Sequence, residues 1–133
     1  MPAKTRFLNP DTMTKPAAYS QVVEVTTPGR MIFISGQVGV GRDGKLVDGD
    51  FRAQAIQVFE NLKAALEAVG ARLDDVVKVN SYIIEIEHQA ILRDVRRLYM
   101  NMAAPPASTS VRVVGFAREG VLLEVEAVAV LPE

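Results

Sequence analysis

The order of hydrophobic periods along the chain predicts an α+β fold, a β-sheet carrying two helices on one face. Three observations predict it. The period switches from two to about 3.6 and back, giving the order β-β-β-α-β-α-β-β. Only two segments, of about 15–19 residues, have helical spacing, enough to cover one face of such a sheet and hardly both. The closing strand is aliphatic on both of its faces, so the face away from the helices needs another cover.

The elements follow in order. Thr5–Leu8 is a first extended segment, followed by the turn and loop signals Asn9-Pro10-Asp11 and Lys15-Pro16. Val22–Thr26 and Met31–Val40 flank Thr27-Pro28-Gly29-Arg30 and read as the two arms of a hairpin. Arg42-Asp43-Gly44-Lys45 is a further turn. From Phe51 to Val69 the apolar residues Ala55, Phe59, Leu62, Leu66 and Val69 recur at helical spacing, opposite Arg52, Glu60, Lys63 and Glu67. Asp50 is placed to cap that helix and Gly70 to end it. Val76–Ile84 is a β-run. His88–Met102 is a second helix with Ile91, Val95, Leu98 and Met102 as its buried stripe, and Pro105-Pro106 forbids its continuation. Thr109–Val114 and Val121–Leu131 close the chain as strands, joined around Arg118-Glu119-Gly120.

In the last strand Leu123, Val125, Ala127 and Ala129 share one face, while Leu122, Glu124, Glu126, Val128 and Val130 share the other. The pattern predicts a homo-oligomer whose interface includes the two carboxylates. It does not fix the symmetry.

Composition narrows the chemistry. The 133 residues fit a single domain, 1–133, and are 49% hydrophobic and 23% charged. Fifteen Lys+Arg against 16 Asp+Glu give a net charge of −1, which argues against a nucleic-acid binder built on a basic field. With no cysteine there is no thiolate nucleophile, disulfide, Fe–S cluster or thiolate zinc site. One histidine, His88, supplies a metal centre or a Ser-His-Asp triad poorly, so neither metal nor cofactor is expected. Met1–Leu8 carries Lys4 and Arg6 and no apolar run of signal-peptide length, and no stretch approaches the ~20 apolar residues of a membrane span. The expectation is a cytoplasmic protein that does not engage membranes.

Several groups of residues resemble the RidA/YjgF family of reactive-intermediate (enamine/imine) deaminases. They are Ala18-Tyr19-Ser20-Gln21, Ile34-Ser35-Gly36-Gln37, Gln54 with Asn61-Leu62, Pro106-Ala107, and the closing Leu123-Glu124-Val125-Glu126-Ala127-Val128-Ala129-Val130. The last is the most specific single piece, and the resemblance spans essentially the whole chain. It implies a chorismate-mutase-like α+β fold assembled as a homotrimeric barrel, helices outside, with clefts between subunits. There family enzymes hydrolyse 2-imino acids to 2-keto acids and ammonia. It further implies that Tyr19, Ser35 and Gly36 line the substrate pocket and that Glu124 places the water.

One position departs from the family pattern. Where Pro-Ala-Arg carries the arginine that binds the substrate carboxylate, this chain has Pro106-Ala107-Ser108, and no arginine or lysine lies between Asn101 and Val111. Arg112 shares the strand parity of Ser108 but stands four residues on, roughly 13 Å away at ~3.3 Å per residue. A serine hydroxyl cannot reproduce the two parallel charge-assisted hydrogen bonds of a guanidinium fork. The resemblance therefore predicts an arginine-lacking branch, with Ser108 in the substrate site and little standard 2-imino acid deaminase activity. Its alternative is a trimer that binds a small metabolite without turnover.

Other readings of the same residues stay open. Glu124 either orients a hydrolytic water or salt-bridges across the trimer, and Glu126 reads as structural. Tyr19 either caps a pocket or anchors the N-terminal loop. Gly36 either lets backbone N–H groups approach a ligand or relieves crowding between subunits. The glycines Gly36, Gly39, Gly41 and Gly44 lack the strand–loop–helix context of a phosphate loop. His88 reads as a solvated residue at a helix start, and Arg93-Asp94-Arg96-Arg97 as a solvated helix face. No aromatic-plus-basic platform for RNA stands out.

Overall fold

The computed structural model describes residues 4–132. Its strands are β1 (Lys4–Leu8), β2 (Val22–Thr26), β3 (Arg30–Gln37), β4 (Val76–Ile83), β5 (Ala107–Arg112) and β6 (Leu123–Leu131). Its helices are α1 (Phe51–Glu67) and α2 (Gln89–Tyr99), with single 3₁₀ turns at Leu73–Asp75 and Ile86–His88. The fold is α+β with two helices and a mixed sheet, in the element order expected.

That sheet runs β3-β6-β4-β5. β6 is antiparallel to both β3 and β4, whereas β4 and β5 are parallel. A parallel pair needs a long crossover, and α2 supplies it. The expected hairpin of the second and third strands does not form. β2 instead pairs with β1 in a separate two-stranded sheet, carrying an Arg6–Glu24 ion pair at 2.9 Å, and β3 pairs with β6. The turn at Thr27-Pro28-Gly29 does exist, with Thr27 and Gly29 both at positive φ. A turn reverses the chain without naming its partner, and β3 finds a better apolar partner in β6.

α1 begins where Asp50 caps it, its carboxylate accepting from the Ala53 N–H at 3.1 Å. It ends two residues earlier than expected, in a Schellman turn. The N–H groups of Gly70 and Ala71 donate back to the carbonyls of Glu67 and Leu66, and Gly70 takes φ +76°. Val69 lies beyond the helix and is exposed. α2 is also shorter than expected, because Met100 turns extended at its end. Its buried face is rotated from the expected stripe: Leu92, Val95 and Arg96 are buried, while Leu98 is 71% exposed.

The core lies between the helices and one face of the sheet. Val58, Phe59, Leu62 and Leu66 of α1 and Leu92 and Val95 of α2 meet Val79 and Ile83 of β4 and Leu123 and Val125 of β6. Each fully buried aliphatic or aromatic side chain stabilises the fold by about 1.5–3 kcal/mol relative to exposure. The opposite face carries Phe33 (73% exposed), Met31, Val128 and the two β6 carboxylates. Glu126 is tied there to its neighbours, accepting from Tyr82 Oη at 2.8 Å and Asn80 Nδ2 at 3.1 Å. This bond to a carboxylate holds the Tyr82 proton more tightly than usual.

Candidate functional site

β3 and β6 slip register between Ile34 and Gln37: Ile34 pairs with Ala127, yet Gln37 pairs with Val125. One residue is therefore extra, and Ser35-Gly36 form a β-bulge. The Glu124 carboxylate lies directly against Gly36, at a spot that a Cβ on residue 36 would occupy. That contact is the physical reason for glycine here. Glu124 is half-buried and, unlike Glu126, makes no hydrogen bond or ion pair among the described residues. Ser35 is exposed and points to the sheet face that carries Glu126, lining a shallow depression with Asn80 and Lys78.

Two side-chain amides of α1 fix this arrangement. Gln54, only 3% exposed, donates through Nε2 to the Gly120 carbonyl and accepts at Oε1 from the Leu122 N–H, both at 2.9 Å. Asn61 donates to the carbonyls of Val38 (3.1 Å) and Val40 (2.9 Å). The end of β3 and the start of β6 are thus both tied to one helix.

The remaining expected site residues, Tyr19 and Ser108, lie together elsewhere, lining a pocket of about 410 Å³ between α2, β5 and the loop at 17–19. Ser20 positions Tyr19 there: its hydroxyl donates to the Pro105 carbonyl at 2.6 Å and its N–H to that of Pro106 at 3.1 Å. Neither Ser35, Gly36 nor Glu124 lines this pocket. One chain therefore brings the residues together in two groups, Gly36 with Glu124 and Tyr19 with Ser108.

Sequence reasoning missed the principal charged group of the pocket. Arg96, expected on a solvated helix face, is 8% exposed. Its Nη1 donates to Ser108 Oγ at 3.2 Å and its Nη2 to the Ala18 carbonyl at 3.3 Å. Its Nε–H is buried without a partner. Asp94, the acid of that cluster, pairs instead with Arg52 (3.6 Å) and Arg97 (3.8 Å). Desolvation by burial, and then the nearby Arg93, lower the proton affinity of Arg96. Arg112, the sequence's other candidate near Ser108, is exposed and donates to the Ile84 carbonyl at 2.9 Å. The one signal that could have exposed Arg96 is its i+4 spacing from Leu92. A guanidinium thus stands at Ser108, delivered by the helix and not by the strand.

His88 also differs from expectation. Its ring stacks on Phe51 with centroids 4.2 Å apart, and its Nδ1 is buried without a partner. Among the described residues no cluster of three or more His, Cys, Asp or Glu could hold a metal ion, and no helix is long and apolar enough to cross a membrane.

A mixed sheet carrying two helices places this chain in a class of small α+β proteins of known structure. The family described as endoribonuclease L-PSP matches residues 11–131, and the chain belongs to it, the RidA/YjgF family. Protein HMF1 of Saccharomyces cerevisiae is 41% identical over 113 residues, 85% of this chain and 84% of that protein. The 2-iminobutanoate/2-iminopropanoate deaminase of Dermatophagoides farinae is 36% identical over 116 residues, 85% of each chain. Among solved structures, the Rid-family protein of unknown function YyfB from Yersinia pestis aligns with a TM-score of 0.85 at 33% identity, covering 96% of this chain and 98% of that one.

Proposed function

We propose that the chain is a hydrolase of small imines or enamines that works as a homotrimer, its sites in the clefts between subunits. The observation that carries this reading is the Glu124 carboxylate, half-buried against the Gly36 bulge and without a hydrogen bond or ion pair among the described residues. A carboxylate so placed can hold a water and take its proton. In the reaction, water adds to the C=N carbon while Glu124 accepts a proton and returns it to nitrogen. Glu124 then takes the hydroxyl proton of the carbinolamine and passes it to the amine nitrogen as the C–N bond breaks, leaving a carbonyl compound and ammonia. Membership of the family supports the chemistry, and relatives from Dermatophagoides farinae and Escherichia coli are named 2-iminobutanoate/2-iminopropanoate deaminases.

The exposed Phe33 and Met31 beside Val128 support assembly through the sheet face away from the helices. In a closed trimer that face would bring Glu124 and Gly36 of one subunit toward Tyr19 and Ser108 of the next, completing the site from its two halves. The test measures hydrolysis of 2-iminobutanoate and 2-iminopropanoate, generated in situ by an amino-acid oxidase, alongside light scattering. A trimer is expected whose turnover falls about 10²–10⁴-fold in Glu124→Gln. A stable monomer at micromolar concentration, or a Glu124→Gln variant as active as the parent, refutes the reading.

A further inference from the structure

Arg96 is costly where it stands. A guanidinium offers five N–H donors, and here two have partners, both neutral oxygens. No carboxylate among the described residues pairs with it. A buried charge without a counterion is strongly disfavoured, and purely structural sites avoid it by placing an acid nearby. The nearest ionic influence is instead another cation, Arg93, which lines the same pocket and makes no ion pair among the described residues. Around the two guanidiniums the pocket wall is neutral and hydrogen-bonding: Tyr19, Ser81, Gln89 and Ser108. The pocket wall thus carries two cations and no carboxylate among the described residues.

We propose that Arg96 is the anion anchor of this pocket, which takes small carboxylate ligands, and that Arg93 at its edge favours those bearing a second acidic group. The inference deepens the hydrolase reading by naming the charge of the substrate, and rests on that reading for the reaction alone. Arg96 is held by Ser108 and Ala18 with its fork pre-set, so a carboxylate entering the pocket meets donors already oriented. Ser108 thereby becomes a positioning residue: its short side chain leaves room for the helix-borne guanidinium and accepts one of its protons.

The test uses the full chain and two probes, 2-oxobutanoate and 2-oxoglutarate, the kinds of oxo acid that imine hydrolysis releases. Calorimetric titration and thermal shift at about 50 mM salt keep exposed charges weakly screened. Both probes are expected to bind, 2-oxoglutarate more tightly. Arg96→Met should weaken both about tenfold to a hundredfold, the effect of losing one charge-assisted contact. It should melt no lower than the parent, since it removes a buried unpaired charge. Arg96→Lys keeps the charge and loses the fork, and should fall between the two. Arg93→Gln should weaken 2-oxoglutarate alone.

Absence of binding by the parent, or unchanged binding by Arg96→Met, overturns the proposal. So does an Arg96→Met variant that dissociates or melts early while binding as before, because the guanidinium would then be pairing with a neighbouring subunit. Equal affinity for the two probes, insensitive to Arg93→Gln, overturns the preference for a second acid. Turnover distinguishes failure of this inference from failure of the hydrolase reading. Equal rates on imines with and without a carboxylate would sink the anchor and spare the hydrolase. Arg96-dependent binding with no turnover of any imine would do the reverse.

Discussion

Replacing Gly36 by alanine separates catalysis from stability, because the space it needs belongs to one movable side chain. A Cβ on residue 36 would lie 2.8 Å from the Cγ of Glu124 and 2.7 Å from its carboxyl carbon. Ordinary contacts between carbon atoms are about 3.5–4.0 Å, so the Glu124 side chain must retreat by roughly an ångström. It can do so by turning a side-chain torsion about 30° off its staggered value, at a cost of about 0.5–1.5 kcal/mol. Gly36 is not among the residues at positive φ, so alanine adds no backbone strain there. Losing glycine's freedom in the unfolded chain returns about 0.4–1 kcal/mol. The two terms nearly cancel, and the unfolding midpoint in urea should stay within about 1 kcal/mol of the parent. Hydrolysis of 2-iminobutanoate should nevertheless fall by about 10²–10⁴, as for Glu124→Gln, since the carboxylate is no longer where the water binds. The double variant Gly36→Ala/Glu124→Gln should be no worse than either single one. Parental activity in a folded Gly36→Ala protein, or losses that simply multiply in the double variant, would refute the reasoning.

Two further outcomes follow from polar groups already described. Gln54→Leu leaves the Gly120 carbonyl and the Leu122 N–H without their partner, so a loss of about 2 kcal/mol is expected. Calorimetry should record this as a melting temperature lower by about 6 °C. Tyr99, stacked on Phe59, has its hydroxyl pKa raised to about 12, first by burial and then by a hydrogen bond to Glu60. A raised folded-state value favours the protonated form. Its contribution to stability is therefore complete below the usual 10.0 and is lost as pH climbs from there towards 12. Spectrophotometric titration should show a late phenolate step that Tyr99→Phe removes, and a Tyr99→Phe protein with that step intact would contradict the assignment.

The elements that local chemistry specifies were the legible ones. Asp50 and Gly70 bracket α1 because a cap and a left-handed residue act within a few residues of themselves. The alternation in β6 was equally readable, since the side chains of Leu123, Val125, Ala127 and Ala129 must all leave the strand on one side. Strand partnership was not legible: Thr27-Pro28-Gly29 bends the chain, but β3 joins a strand some ninety residues away because the two match in apolar faces. The candidate residues Tyr19, Ser35, Gly36, Ser108 and Glu124 could be named from the sequence, and yet their grouping into two places could not. Arg96 was hidden by its company. Flanked by Arg93, Asp94 and Arg97, it has the appearance of solvated charge. Its burial comes from the rotation of α2 that Leu92 and Val95 impose.

The meeting of Arg96 with Ser108 bears on how such pockets change during evolution. A helix and the strand beneath it can each deliver a guanidinium to the same pocket, so the charge can migrate from one element to the other while the cavity keeps its electrostatic sign. The two positions then behave as a linked pair: a strand arginine would crowd Arg96, and a helix without Arg96 would leave Ser108 without its guanidinium partner and the pocket with Arg93 alone. Substitutions at 96 and 108 should therefore be accepted jointly more readily than singly. Judging such chains by the strand position alone would count as empty a pocket whose cation has only changed its address.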